Sequence, residues 1–190
     1  MTNDDKNKIV NTVVYFATKV EGLDKTKLLK LLYLAQRMCV LKYKQPLLNL
    51  KFEVWQYGPV ASSIYYELSE DTSSIFNGYI QKQYKNNKFE IVPITKFCND
   101  EFSDREIALL NDIVITYGNC SATKLVQVTH SKSWEWYKLA KQNNLLDDFN
   151  SKVRTHSDVE IDFSCLLSGC ELEEFVNNLE TQSFFNSLKS

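Results

Sequence analysis

The run from Lys27 to Ala35 restricts what this chain can become more than any other stretch. Leu28, Leu29, Leu31, Leu32, Leu34 and Ala35 leave only Lys27, Lys30 and Tyr33 as breaks in an otherwise aliphatic segment. A helix through it is apolar on most of its sides, and such a helix belongs at the centre of a bundle. Asp24 is placed to cap its start, and Pro46 ends a helix that reaches about Lys44. The strip predicted to face solvent carries Lys25, Lys27, Lys30, Arg37, Lys42 and Lys44.

The flanking segments supply partners for that helix. Ile9, Val13, Phe16, Ala17 and Val20 recur at helical spacing after candidate caps at Thr2, Asn3 and Asp4, with Gly22 as the stop. Phe52-Glu53-Val54-Trp55-Gln56-Tyr57 alternates with bulk on both faces, which predicts a short extended piece sandwiched inside the fold. Gly58 then turns the chain, and Pro59 is expected to open a helix running to about Glu70. Tyr79–Tyr84 and Lys88–Val92 around Lys85-Asn86-Asn87 read as a β-hairpin. Ser103 and Glu106 sit at capping-box spacing, and the following helix should bury Ile107, Leu110, Val114 and Tyr117. Ser121 and Ser133 start two shorter helices, the second carrying Trp134, Tyr137 and Ala140. Residues 142–160 are polar and aperiodic and read as a linker or irregular loop, before a last helix with Leu172, Phe175, Val176 and Leu179. The expected fold is mainly α: a compact helical domain of about seven helices with one small hairpin near 79–92. Residues 1–142 form the domain proper, and 143–190 an acidic extension packed on it.

The chemistry-bearing residues are sparse. Five glycines scattered singly build neither a phosphate loop nor a dinucleotide fingerprint. The two histidines, His130 and His156, lie away from any metal-ligand spacing, and Cys165 and Cys170 have no second cysteine pair to complete a zinc site. A Cys120–His130 nucleophile is conceivable on paper, with nothing flanking it to lower a thiol pKa. The expectation is therefore no enzyme, no cofactor and no metal. Five scattered cysteines, no leading basic-then-apolar segment and no long apolar run point to the cytoplasm and away from the membrane. Charge is polarised: residues 1–60 hold ten basic against five acidic side chains, and 145–190 hold three against nine. The basic strip with Tyr33 and Tyr43 would suit a nucleic acid, but the isoelectric point near 5.8 and the lack of a helix-turn-helix pattern oppose binding by this chain alone.

The order Lys27-Leu28-Leu29-Lys30-Leu31-Leu32-Tyr33-Leu34-Ala35-Gln36, Pro46-Leu47, Phe52-Glu53-Val54-Trp55-Gln56-Tyr57-Gly58-Pro59-Val60 and Ile64-Tyr65 resembles the Panacea (SocA-like) antitoxin domain. Tyr117-Gly118, Ser121-Ala122, Lys124-Leu125, Thr129-His130-Ser131 and Trp134 resemble its downstream half, so the likeness spans roughly 7–140. Val54 stands where the family has a small residue, Leu34 where it has a second aromatic, and Trp136-Tyr137 is richer than the family pattern. The resemblance implies a bacterial or phage antitoxin that neutralises a co-encoded toxin by direct binding. For one member's mode of action it also implies a AAA+ protease to which the toxin is delivered. The alternative from another class is a regulatory nucleic-acid-binding protein using the basic second helix. Within this reading Leu28, Leu31, Leu32, Tyr33, Trp55, Tyr57, Gly58, Pro59 and Trp134 are motif residues of the core. Lys27, Lys30, Arg37, Tyr79, Tyr84 and Phe89, with the acidic end, are the candidate partner contacts.

Overall fold

A computed structural model describes residues 2–69, 75–85 and 88–188. Helix α1 (Asn3–Lys19) starts at a capping box, in which the Thr2 hydroxyl accepts the Asp5 N–H and the Asp5 carboxylate accepts the Thr2 N–H. Helix α2 (Lys25–Tyr43) begins where the Asp24 carboxylate accepts the Lys27 N–H at 2.8 Å, and ends on Lys44 in the left-handed region. Twelve residues of α2 are buried, from Lys27 without a break to Gln36 and then Cys39 and Val40. More than half of the other elements pack on it, as the aliphatic run requires.

The Gly-Pro segment differs from expectation. Strand β2 (Gly58–Val60) pairs antiparallel with β1 (Glu53–Trp55), with Gln56 and Tyr57 in the turn. Helix α3 (Ser62–Glu67) begins three residues after Pro59, not at it. The reason is the hydrogen-bond pattern. Gly58 takes φ +96, which returns the chain along β1, and Pro59 stands opposite Val54. The Val54 N–H points to the other edge, donating to the Val159 carbonyl at 2.9 Å, so that pair asks nothing of the missing proline N–H.

That other edge is made by the segment expected to be a linker. The Gln56 N–H donates to the Thr155 carbonyl and the Ile161 N–H to the Phe52 carbonyl, with Glu53 and Glu160 bridged. Leu145 and Phe149 of α7 (Leu145–Asn150), Ile161, Phe163 of a 3-10 turn (Phe163–Leu166), Leu167 and Phe175 of α8 (Cys170–Leu188) join the core.

The hairpin of β3 (Ile80–Lys85) and β4 (Lys88–Pro93) has the register Ile80↔Pro93 to Lys85↔Lys88; Asn86 and Asn87 of its expected turn lie outside the described residues, as does Glu70. It is fastened to the α1–α2 corner, where the Ile91 N–H donates to the Leu23 carbonyl and the Gly22 N–H to the Glu90 carboxylate. Helix α4 (Asp104–Tyr117) has the expected capping box on Ser103 and Glu106. Its buried stripe is Glu106, Leu109, Leu110 and Ile113, turned from the predicted one because Glu106 faces inward to pair with Lys8 of α1 at 2.8 Å. Helices α5 (Ala122–Thr129) and α6 (Glu135–Gln142) close the bundle. Among the described residues this makes a mainly helical protein with two small antiparallel sheets.

Gln36 fixes the loop after α2: its buried side-chain oxygen accepts the N–H groups of Leu47 and Leu48 at 3.1 and 2.9 Å. Gln36→Leu strands both donors. It should lower unfolding free energy by about 2–3 kcal/mol in urea melts, whereas an unchanged midpoint and slope would show that the loop finds other partners.

Candidate functional site

Seven of the nine motif residues are buried, and three of them, Trp55, Gly58 and Pro59, meet around one polar cluster. Lys30 is 1% exposed, and its Nζ donates to the Pro59 carbonyl at 2.8 Å. Gly58 lies directly above it. A Cβ there would stand 2.7 Å from Thr129 Oγ1, 3.0 Å from Lys30 Cε and 3.3 Å from His130 Nε2, so only glycine fits both the space and the positive φ. His130, the C-cap of α5, stacks on Trp136 with ring centroids 3.7 Å apart and planes at 4°. The Trp136 indole N–H donates to the Trp55 carbonyl at 3.0 Å, tying α6 to β1. Trp55 donates its own indole N–H to Glu53, which also accepts from Ser62, and packs edge-on against Tyr65 and His156.

One turn further along α2 a second group forms. The Tyr33 hydroxyl donates to Glu135 Oε1, and Arg37 Nε donates to the same oxygen at 2.9 Å. The Arg37 guanidinium lies 4.0 Å over the Trp134 ring, while Phe52 and Phe163 enclose the Tyr33 ring. Burial first, and then the Glu135 charge, push the Tyr33 hydroxyl well above the usual phenol range.

Burial also lowers Lys30 to about 7 and His130 to about 4, the charge of Lys30 adding to the second shift. His130 Nε2 and Glu135 Oε2 have no hydrogen-bond partner among the described residues. Lys30 and Glu135 are turned inward, and the Arg37 side chain is only 16% exposed.

Leu28, Leu31, Leu32, Tyr33, Trp55, Gly58 and Pro59 are buried, and Trp134 is half-buried over Arg37. Tyr57 departs from the core assignment. As the tip of the β1–β2 turn it is 63% exposed. The basic strip of α2 is also corrected. Lys27 and Lys30 are buried, because α2 is covered on the side where periodicity put solvent, and Arg37 is committed to Glu135. Of the rest, Lys25 lies over the Tyr65 ring, Lys42 pairs with Asp112 and Lys44 with Glu171. Glu135 and Trp136 were not singled out from sequence. The one signal for Trp136 was its excess over the family pattern, and Glu135 looked like any surface carboxylate of a first helical turn.

On the hairpin, Tyr84 and Phe89 are cross-strand partners with centroids 5.9 Å apart. With Lys82, Asp24, Lys25 and Leu68 they line an open cleft of about 530 Å³. Among the described residues no group of three or more His, Cys, Asp or Glu is placed to hold a metal, and no helix is long and apolar enough to cross a membrane.

Fold and cluster define a class: a mainly helical protein whose marked residues brace a two-stranded turn against a central helix. The family model described as antitoxin SocA-like, Panacea domain, matches residues 28–137, and the chain belongs to that family. Every residue from Lys30 to Trp136 in the cluster falls inside the match. Antitoxin SocA of Caulobacter vibrioides (strain NA1000 / CB15N) is 30% identical over 113 residues, which cover 58% of this chain and 56% of that protein. The similarity thus spans a little over half the length of that relative. No solved structure matches the chain.

The depressed Lys30 pKa makes stability depend on pH in a defined direction. Between about 7 and the ordinary 10.5 the unfolded chain binds the extra proton, so stability rises with pH. Above 9 the buried Cys39 thiol, pushed up to about 12, acts in the opposite direction, so the clean window is pH 7 to 9. Urea melts should show a gain of roughly 2–3 kcal/mol across that window, mostly absent in Lys30→Met. A flat profile in the wild-type chain would mean that Lys30 is not held as described.

Proposed function

We propose that this chain is an antitoxin that neutralises a toxin encoded beside it by binding that toxin directly in the cytoplasm. We place the contact on the hairpin and not on the buried cluster. The observation that carries this is Tyr84, 80% exposed and stacked edge-on against half-buried Phe89 at the lip of the open cleft. An aromatic pair beside Lys25 and Lys82 offers large contact area with few rotatable bonds, the kind of side chain in which interface hot spots are enriched. Tyr79, 37% exposed at the opposite end of the hairpin, is a separate candidate contact. Antitoxin family membership supports a toxin as the partner. Handing the bound toxin to a AAA+ protease is a further step that the same complex would permit. The nucleic-acid alternative loses its main support, since Lys27 and Lys30 lie inside the protein and α2 offers no continuous basic face.

The neighbouring reading frame, expressed alone and together with this chain, tests the reading. Growth arrest relieved by the chain, with both products co-purifying, is the expected result. Tyr84→Ala should raise Kd about tenfold while leaving Tm unchanged. Full affinity and full rescue by Tyr84→Ala would remove the hairpin from the interface, and arrest that the chain does not relieve would remove the function.

A further inference from the structure

Helix α8 is the least supported long element of the molecule. Among its described side chains Phe175 alone is in the buried core, joined by half-buried Leu172. Two polar ties hold its first half: Glu171 pairs with Lys44 at 2.7 Å, and Asn178 donates to the Lys44 carbonyl at 2.9 Å. Beyond them the helix stands off the body. An open groove of about 540 Å³ separates Leu179, Gln182 and Ser183 from the loop around Leu48 and Leu50.

The opposite face of α8 is both apolar and acidic. Glu173, Val176, Glu180 and Phe184 follow one another at steps of three, four and four residues, so they form a single exposed stripe. Phe184 is 60% exposed and Phe185, in edge contact with it, 56%. From Cys170 to Leu188 there is no lysine or arginine. A helix that a small domain merely needed for its core would turn such residues inward. This one presents anchors at the spacing with which a helix fills a groove, inside a field of one sign.

We propose that α8 is a docking helix whose Glu173–Val176–Glu180–Phe184 stripe lies in a basic, apolar-floored groove of the toxin. This rests on the antitoxin reading above and adds a second contact to the hairpin. The charge names the partner's chemistry: a surface rich in Lys and Arg, as found on proteins that act on phosphate-bearing substrates, is steered toward Glu173, Glu174 and Glu180, while Glu171 is paired with Lys44. Residues 170–188 lie outside the family-matched segment 28–137, so this contact is an addition to the shared domain.

The test uses the full chain and, as probe, the product of the neighbouring reading frame. Two variants are compared with wild type, Val176→Ser/Phe184→Ser and Glu173→Lys/Glu180→Lys, with Tm measured for each. Both should keep Tm and raise Kd about tenfold or more. The charge-reversed variant should also associate more slowly, with a flattened dependence on salt. Unchanged affinity in both variants, with Tyr84→Ala still weakening the complex, would overturn the docking helix and leave the antitoxin function standing. No binding by the wild-type chain would defeat both. A wild-type dimer that Val176→Ser/Phe184→Ser converts to monomer would give the stripe to a second copy of this chain and overturn the proposal.

Discussion

Lys30 reaches from the middle of α2 to the Pro59 carbonyl, and the surrounding structure is arranged to accept that buried amine. The carbonyl is available because Gly58 returns the chain at a positive φ, which brings β2 alongside β1. The space is available because Gly58 has no side chain to meet Thr129 and His130. The lid is Trp136, stacked on His130 and bonded to the Trp55 carbonyl. A buried lysine with a single carbonyl partner is costly when charged, which is why its pKa falls to about 7. The cost is borne by a site that joins α2, β1, β2, α5 and α6 at once. It gives the bundle a unique register that aliphatic packing alone would leave loosely specified.

Much of this frame is legible in the sequence because its signals are local. Caps at Asp24, Ser103 and Ser121 and the two short strands of the hairpin each require only a few neighbouring residues, and each lies within a residue of where expectation places it. What escapes local reading is set by distant partners. Lys27 and Lys30 occupy the polar positions of a helix that turns out to be covered on that side as well. Pro59 looks like a helix opener until the third chain segment, at Thr155–Ile161, claims the outward hydrogen bonds of β1. That segment is aperiodic because its backbone, more than its side chains, does the binding. Glu106 and Glu135 follow the same logic, as carboxylates drawn inward by Lys8 and by Tyr33 with Arg37.

The candidate site divides accordingly. Seven of the nine motif residues lie in the interior, Trp134 is half-buried and Tyr57 is exposed. Large apolar side chains left exposed include Tyr57 at the turn tip, Tyr66, Tyr84 on the hairpin, Ile115, Val153 and Phe184 with Phe185 on α8. The aromatic residues of the composition are divided between the buried core and the exposed surface.

The central claim is that the marked stretch is scaffold and that the contacts lie at the periphery. Amide hydrogen exchange, measured on the chain alone and bound to the product of the neighbouring reading frame, tests it directly. Peptides from Ile80–Lys85, Lys88–Pro93 and Cys170–Leu188 should gain protection on binding. Peptides from Glu53–Val60 and the middle of α2 should already be slow in the free chain and stay unchanged. New protection confined to Glu53–Val60, with the hairpin and α8 unaffected, would contradict the account.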